Sequence, residues 1–258
     1  MLNDFLLGLQ FLTRLTVKRD VDWSERACGG SVKFFPLIGA VLSVFYLAAG
    51  YILFYALPQR GIELPPYFIG FALLALNIYL TGALHCDGFT DTMDGILSGR
   101  KRERILEIMK DSHVGAHGTT SLILLLLGKF SMFASLSHSS PALALTALCL
   151  LPVVPRFCMS NAVVLFPYAR PQGLGKAFHE YSGRRSLIFP FVFTLALSFL
   201  GGLPALGAFI FTCLVMYAFD SYVCSLIGGL TGDVYGATCE LGEFVILFAF
   251  IIAQSFIL

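Results

Sequence analysis

The chain has 258 residues, of which 57% are hydrophobic and only 13% are charged, and its mean hydropathy is +0.81. Soluble domains carry about 25% charged residues, so this composition argues against a soluble protein and predicts an integral membrane protein. The net charge is +1. The seven cysteines are odd in number and scattered, so they do not indicate a disulfide framework.

The first predicted element, residues 1–17, lacks a basic region before its apolar part, and we expect it to be retained as an amphipathic interfacial helix. Seven apolar stretches follow, most of them near the 20 or so residues that a bilayer-spanning helix needs. They are residues 32–57, 64–84, 119–136, 142–166, 187–200, 205–227 and 244–258. The sequence therefore predicts one all-α membrane domain over residues 1–258, a polytopic bundle of about seven transmembrane helices with short amphipathic interfacial helices.

Basic residues concentrate in three segments: the N-terminal segment, the loop after the second apolar stretch and the loop after the fourth. With seven spans these segments lie on one side of the membrane, together with the connection at residues 228–243. Positively charged loops favour the cytoplasmic side. We therefore expect the polar segments of the chain to share the cytoplasmic face.

An acidic run directly follows the second apolar stretch, with aspartates at Asp87, Asp91 and Asp94. On a helix the three would share one face, where their charges repel unless a cation holds them together. Magnesium typically uses one or two carboxylates with phosphate oxygens and water. The run therefore predicts a divalent-metal site, against the alternative of a solvated helix start. For His85, just before it, three roles stay open: metal coordination, hydrogen bonding to the substrate, or capping of the second span.

The loop after the acidic run carries further polar candidates. Residues 99–109 read as a short amphipathic surface helix. Residues 111–118 are rich in turn formers, and we expect this loop to return near the aspartates because both flank adjacent spans. Lys110, Asp111 and His117 are its candidate functional side chains.

Two cations, Lys129 and Arg156, fall within apolar spans, where an unpaired charge is costly. Either they form internal ion pairs or they face a phosphate group of a substrate, and the sequence leaves both interpretations open. Asp220 is a further candidate for a buried charge. The loop at residues 168–176 joins Arg170 to two glycines and suits phosphate binding, although the positive-inside rule alone would place cations there.

Near the end of the chain, glycines recur at Gly228, Gly232 and Gly236. This spacing lets transmembrane helices approach closely, and packing is the simplest interpretation. Asp233 and Glu240 are seven residues apart, so one helical face could direct both toward the same pocket. We expect this segment to serve both packing and binding.

Taken together, these stretches resemble the cobalamin synthase (adenosylcobinamide-GDP ribazoletransferase) family. The matching segments span most of the chain: Thr13-Arg14-Leu15, Phe35-Pro36-Leu37-Ile38-Gly39, residues 85–95, residues 107–112, Tyr168-Ala169-Arg170, Gly173-Leu174-Gly175 and residues 228–243. The acidic run followed by Ile108-Met109-Lys110-Asp111-Ser112 is the most specific of them.

The resemblance implies a transferase of cobalamin (coenzyme B12) biosynthesis in the prokaryotic cytoplasmic (inner) membrane, with its active site facing the cytoplasm. α-Ribazole, or its 5'-phosphate, would attack adenosylcobinamide-GDP, giving adenosylcobalamin or its phosphate and releasing GMP. Magnesium is the implied cofactor, and the lipid bilayer is the surrounding partner. A homo-oligomer is compatible with the sequence, and no nucleic acid is implied.

The resulting site prediction has three parts. The magnesium ligands are Asp87, Asp91 and Asp94. The catalytic candidates are these three with His85 and with Asp111, which is one candidate general base. The substrate-binding candidates are Lys110, His117, Lys129, Arg156, Arg170, Asp233 and Glu240.

Two other functions stay open at this point. A CDP-alcohol phosphotransferase also clusters aspartates in a membrane bundle, but Asp87-Gly88 leads straight to Asp91 without the Ala-Arg pair typical of those enzymes. A cation-coupled transporter would bury ionisable residues near the middle of the bilayer, whereas the acidic run follows the end of a span.

Overall fold

The computed structural model describes residues 1–255, and within them the regular secondary structure consists of thirteen α-helices with a few short 3-10 and π segments. The helices are α1 (Leu2–Leu12), α2 (Glu25–Ser31), α3 (Phe35–Tyr51), α4 (Pro66–Thr81), α5 (Leu84–Leu97), α6 (Arg102–Ile108), α7 (Ala116–Ser135), α8 (Pro141–Leu150), α9 (Val153–Leu165), α10 (Leu174–Glu180), α11 (Ile188–Leu200), α12 (Gly202–Ile227) and α13 (Gly232–Gln254).

Five helical segments of the described chain are long and apolar enough to cross a membrane. They are Glu25–Arg60, Ala116–His138, Pro141–Leu165, Gly202–Ile227 and Gly232–Gln254. Two further pairs, α4 with α5 and α10 with the helix leading into α11, qualify when each bent pair is counted as one span, which gives up to seven. The prediction of an all-α polytopic bundle is confirmed. The predicted number of about seven spans equals the count obtained when each bent pair is one span.

The acidic run does not continue the axis of α4, because the chain bends by 92° between α4 and α5. Gly82 and Ala83 form the bend, with left-handed φ values of 63° and 59°. Glycine adopts this conformation at little cost, whereas alanine does so rarely. The backbone N–H of Arg14 donates to the carbonyl of Leu80 at 2.8 Å, which fixes the N-terminal segment against the bend. The aspartates therefore lie on a helix of their own.

The last helix begins twelve residues earlier than the apolar stretch predicts, at Gly232 rather than near 244. The expected cytoplasmic connection at 228–243 is thus wrong for most of its length, since Glu240 and Glu243 are each only 1% exposed inside the bundle. Charged residues are tolerated there because buried cations pair with them, as described below.

Among the described residues, two large apolar cores and a small cluster of Phe89, Met93, Leu125 and Ala237 support this architecture. The larger packs α3, α4 and α7–α9 against α12 and α13. The second lies at one end of the bundle, where α1, α2 and α10 cover the ends of the long helices. Leu7 and Leu12 of α1 and Ile105 of α6 are buried in it, which confirms the two predicted amphipathic helices as helices. The candidate site lies between this second core and α5.

Candidate active site

A cavity of about 230 Å³ opens where α5, α13 and the loop before α10 meet the N-terminal helices. Its lining divides into two chemical groups. The polar group is His85, Asp87, Tyr168, Arg170, Asp233 and Tyr235. The apolar group is Phe11, Leu12, Phe35, Leu84, Met159, Val163, Leu174 and Phe178. Charged side chains and aromatic rings therefore line one partly open cavity.

Close packing of α5 against α13 brings the acidic groups together. A Cβ atom at Gly88 would lie 2.7 Å from the carbonyl oxygen of Asp233, a contact that only glycine avoids. A Cβ at Gly236 would lie 3.5 Å from the Cα of Gly88. The predicted packing role is confirmed for Gly236, whereas Gly228 ends α12 and Gly232 begins α13. Asp87 and Asp233 consequently line the same cavity.

The segment around Arg170 is fixed to the start of α13 by a two-bond backbone bridge. The N–H of Ala169 donates to the carbonyl of Leu230, and the N–H of Leu230 donates to the carbonyl of Pro167, each at 2.8 Å. This bridge places the Arg170 guanidinium 2.9 Å from the Asp233 carboxylate. Both side chains stay partly exposed, at 20% and 25%, so the pair can open toward a ligand.

Tyr168 completes this polar side of the cavity. Burial raises the pKa of its phenol, so the hydroxyl stays protonated and available as a hydrogen-bond donor. Its ring lies 6.5 Å from that of Tyr235, which also lines the cavity. Tyr235 was not among the predicted site residues, because a tyrosine beside glycines in a helix is most simply interpreted as a packing residue.

The three aspartates of the acidic run have different surroundings. Asp87 is exposed to the cavity, and Asp91 is half-buried one turn later. Asp94 is buried, and its two oxygens accept the backbone N–H groups of Gly115 and Gly118 at 2.7 and 2.8 Å. Asp94 therefore joins the loop after α6 to α5, as expected for a loop that returns to the acidic run.

The magnesium prediction can be compared with these positions. Among residues 1–255, no group of three or more His, Cys, Asp and Glu side chains is close enough to hold a metal. The donor chemistry still fits, because magnesium is commonly held by one or two carboxylates, with phosphate oxygens and water completing its octahedron. Asp87 and Asp91 offer two such carboxylates on successive turns of α5. The three-ligand site stays a prediction.

Lys110 and Asp111 lie on the exposed loop between α6 and α7, and His117 is exposed in the first turn of α7. None of the three lines the cavity. Asp111 accepts hydrogen bonds from His113 of its own loop, from the backbone N–H at 3.0 Å and at ring Nδ1 at 2.7 Å. These bonds hold the pKa of Asp111 below its ordinary value. The roles predicted for these three residues stay predictions.

A buried charge cluster, Lys129, Arg156, Glu240 and Glu243, lies deeper in the bundle. The Lys129 ammonium is 2.8 Å from Glu240 and 2.6 Å from Glu243, and Arg156 is 3.4 Å from Glu243. All four side chains are at most 1% exposed. Of the two interpretations of Lys129 and Arg156, the internal ion pair is the one that the structure shows.

This cluster separates two residues that the sequence placed in one pocket. Asp233 and Glu240 do lie on the same helix, but seven residues of α13 span about 10 Å along its axis. Asp233 reaches the cavity, whereas Glu240 reaches Lys129, so the shared pocket is wrong. Neither Lys129, Arg156 nor Glu240 lines the cavity, and direct contact with substrate is not available to them in this structure.

Sequence reasoning missed Glu243 and Asn77. Asn77 donates to Glu243 at 2.8 Å and accepts from Lys129 at 2.9 Å. A signal for Glu243 existed, since it follows Glu240 by three residues and helical neighbours at that spacing share a face. His85 lies between cluster and cavity, only 2% exposed, and its ring nitrogens have no hydrogen-bond partner among the described residues.

Comparison with known proteins gives a consistent result. A family model described as cobalamin-5-phosphate synthase matches residues 4–251. A protein of Desulfitobacterium hafniense (strain Y51) named adenosylcobinamide-GDP ribazoletransferase is 39% identical over 248 residues, 93% of each chain. Proteins of the same name from Fusobacterium nucleatum and Pseudomonas aeruginosa are 32% and 38% identical, covering 99% and 96% of this chain and 99% and 97% of their own. No solved structure matches.

Proposed function

Because the chain belongs to the cobalamin-5-phosphate synthase family, we propose that it is an adenosylcobinamide-GDP ribazoletransferase, the activity for which its relatives are named. In the proposed reaction a ribose hydroxyl of α-ribazole, or of its 5'-phosphate, attacks the cobinamide-bound phosphorus of adenosylcobinamide-GDP. A new P–O bond forms, the phosphoanhydride bond breaks, and GMP leaves with the bonding electrons. The product is adenosylcobalamin or its 5'-phosphate.

The structural observation that best supports this proposal is the composition of the cavity, which combines carboxylates from α5 and α13 with the Arg170 guanidinium. Phosphoryl transfer depends mainly on positioning and on neutralising charge at the phosphate oxygens. An arginine supplies such neutralisation with a planar fork of donors. The cavity therefore contains the groups that the proposed reaction needs.

The Arg170–Asp233 ion pair has a specific role in this proposal. When the substrate binds, its phosphate oxygens pair with the Arg170 guanidinium, and the Asp233 carboxylate is released from that ion pair. Asp233 then accepts the proton of the attacking hydroxyl as it bonds to phosphorus. General-base assistance of this kind contributes about 10²–10⁴-fold to a rate. The proton thus moves from the ribose hydroxyl to an oxygen of Asp233.

The proposed enzyme uses magnesium, and Asp87 and Asp91 are the residues that would hold it. The ion would supply further neutralisation of the diphosphate when bound. Asp94 already accepts two backbone N–H groups, so only its remaining lone pairs are free for a metal. We assign Asp94 first to holding the loop after α6 against α5.

The proposal places the protein in the prokaryotic cytoplasmic membrane with the cavity toward the cytoplasm. Support comes from the basic residues of the N-terminal segment and of the loops at 100–110 and 170–185. Arg170 lies on one of these basic loops and lines the cavity. The diphosphate substrate would then reach the cavity from the cytoplasmic side.

The alternatives are less well supported. A transporter should bury ionisable groups, and the buried charge cluster does so, but these charges neutralise one another and do not line the cavity. No curated relative described above has the name of a transporter or of a CDP-alcohol phosphotransferase.

The direct test uses the purified full-length protein in lipid nanodiscs with adenosylcobinamide-GDP, α-ribazole and magnesium. We expect GMP and adenosylcobalamin to form in equal amounts, with no ion gradient required. Omitting α-ribazole should abolish GMP release. GMP release without α-ribazole would indicate a hydrolase, and no release at all would contradict the proposed function.

A further inference from the structure

The apolar side of the cavity contains three phenylalanine rings, Phe11, Phe35 and Phe178, here called the aromatic wall. Phe11 and Phe178 stack with ring centroids 5.0 Å apart and an interplanar angle of 26°. Phe35 lies 6.0 Å from Phe178. The three rings come from α1, α3 and α10, and all of them line the cavity that also contains Asp87, Arg170 and Asp233.

We propose that the aromatic wall, through its partly exposed ring Phe11, binds the flat base of the attacking nucleoside, the benzimidazole of α-ribazole. This inference rests on the proposed function and assigns the acceptor end of the same site. The ribose lies between the two sides of the cavity, with its attacking hydroxyl toward Arg170 and Asp233. The aromatic wall is then the part of the enzyme that selects the base.

The size of the cavity supports a fragment of this kind. At about 230 Å³ it is smaller than the roughly 300–1,000 Å³ of pockets that enclose drug-sized ligands. A corrin ring with its side chains is much larger than such a ligand and must stay outside. A nucleoside base with part of its ribose is the substrate fragment that suits a cavity of this size.

The chemistry of the wall distinguishes between the two bases in the reaction. Phenylalanine rings offer apolar faces and edges but no conventional hydrogen-bond donor or acceptor. Guanine has several polar edge groups, which would lose their bonds to water against such a surface. Dimethylbenzimidazole has a mostly apolar edge and a π face that stacks on aromatic rings. The wall therefore favours the base of the acceptor over the guanine of the leaving group.

The orientation of the wall is fixed from behind. Trp23, the single tryptophan of the chain, contacts Phe11 edge-on at 6.3 Å with an interplanar angle of 81°. Phe35 and Phe178 are only 2% and 3% exposed, so they offer little surface themselves and instead hold Phe11 in place. A preorganised stacking surface binds a flat ligand without the cost of ordering its side chains. This is the arrangement expected of a binding surface on which a flat ring stacks.

The test compares binding of the two substrates in a Phe11→Leu protein. Leucine keeps an apolar side chain but removes the stacking face, so folding should be preserved. Stacking of a base on an aromatic side chain is worth about 1–3 kcal/mol on alanine substitution. For the milder leucine change we expect the Kd of α-ribazole, measured by equilibrium dialysis on the nanodisc protein, to rise about five- to tenfold. The KM for adenosylcobinamide-GDP should change less than twofold.

A matched control is Phe189→Leu. Phe189 also stacks on a second ring, Phe193, at 5.7 Å and 22°, but it does not line the cavity. The Phe189→Leu protein should keep the unsubstituted values of both the Kd of α-ribazole and the KM for adenosylcobinamide-GDP. Phe178→Leu provides a second wall variant: it removes the buried ring on which Phe11 stacks and should weaken α-ribazole binding selectively through Phe11.

Three results would overturn the inference: unchanged α-ribazole binding in both wall variants, a selective rise in the KM for adenosylcobinamide-GDP, or equal weakening of both substrates. The second would place the guanine at the wall, and the third would indicate a structural role. The dialysis measurement does not require turnover. Failure of the base-binding assignment is therefore distinguishable from failure of the proposed function. The latter would appear as absent GMP release in the unsubstituted protein.

Discussion

The cavity and the buried charge cluster use the same kinds of side chain in different surroundings. In the cavity, Arg170 and Asp233 form a single ion pair that is 20–25% exposed. In the cluster, Lys129 lies within 2.8 Å of two glutamates, and all of its members are at most 1% exposed. The cavity pair can exchange its partner for a ligand, whereas the cluster charges are satisfied internally. Exposure and pairing, rather than residue type, therefore distinguish charged residues that can bind a ligand from those that stabilise the bundle.

The cluster also connects the helices on which the cavity depends. Lys129 of α7 and Arg156 of α9 both pair with α13, whose first turn carries Asp233. Asn77 of α4 joins the same network through hydrogen bonds to Lys129 and Glu243. Changes in the cluster should therefore act on stability first, and changes in the cavity on turnover first.

The largest effect is expected from Lys129→Met, which leaves the two glutamates with only Arg156. Removing one partner of a buried ion pair costs about 3–5 kcal/mol. We expect a large fall in the melting temperature of the detergent-solubilised protein. Lys18→Met, at an exposed lysine, is the matched control.

Charge balance provides a second check on this prediction. Lys129→Met combined with Glu240→Gln leaves Arg156 and Glu243 as a neutral pair and should recover part of the lost stability. A double variant less stable than Lys129→Met alone would show that the cost does not come from unpaired charge.

The next effect is expected from Asp91→Asn, which removes a proposed magnesium ligand. Loss of one preorganised electrostatic group typically lowers turnover by about 10²–10³-fold. Binding of Mn²⁺, followed by electron paramagnetic resonance, should weaken in parallel while the melting temperature stays near that of the unsubstituted protein. The exposed Asp20→Asn protein is the control. Normal Mn²⁺ binding and normal turnover after Asp91→Asn would refute the assignment.

A smaller effect is expected from Asp94→Asn, since the amide has one acceptor oxygen where the carboxylate has two. Hydrogen bonds to charged groups contribute about 1.5–3 kcal/mol, which corresponds to roughly a 10- to 150-fold change in local opening. Hydrogen exchange at the amides of Gly115 and Gly118 should accelerate accordingly. Unchanged protection of both amides would mean that Asp94 does not hold the loop.

The smallest effect concerns Asp111, whose pKa the His113 hydrogen bonds lower. A lowered pKa in the folded state stabilises the loop at neutral pH, and this contribution is lost as the pH falls through the pKa of Asp111. His113→Ala removes the ring bond and should raise that pKa toward its ordinary value. Carboxyl NMR of selectively labelled protein measures it, and an unchanged pKa would show that the ring bond has no influence.

Much of the fold follows from hydropathy, because apolar stretches near 20 residues define spans whatever their packing. The α4–α5 bend does not, since Ala83 adopts a left-handed conformation that alanine seldom takes. The start of α13 was predicted too late for a related reason. Glu240 and Glu243 resemble loop residues until their partners Lys129 and Arg156, distant in sequence, are known to neutralise them.

The site shows the same limit. The acidic run and Arg170 were predicted as functional because carboxylates and cations at a membrane surface suggest phosphate chemistry, and Asp87, Arg170 and Asp233 do meet in one cavity. The aromatic wall was not predicted. Phe11 and Phe178 are far apart in a chain that has 25 phenylalanines, so composition cannot single them out.

The most direct measurement is the turnover of an Asp233→Asn protein, compared with the unsubstituted protein at equal melting temperature. Asn keeps the shape of the Asp233 side chain and one acceptor oxygen for Arg170, so the melting temperature should change little. As the proposed proton acceptor it should lower GMP release by about 10²–10⁴-fold. GMP release within twofold of the unsubstituted rate would contradict the assignment of this cavity as the active site.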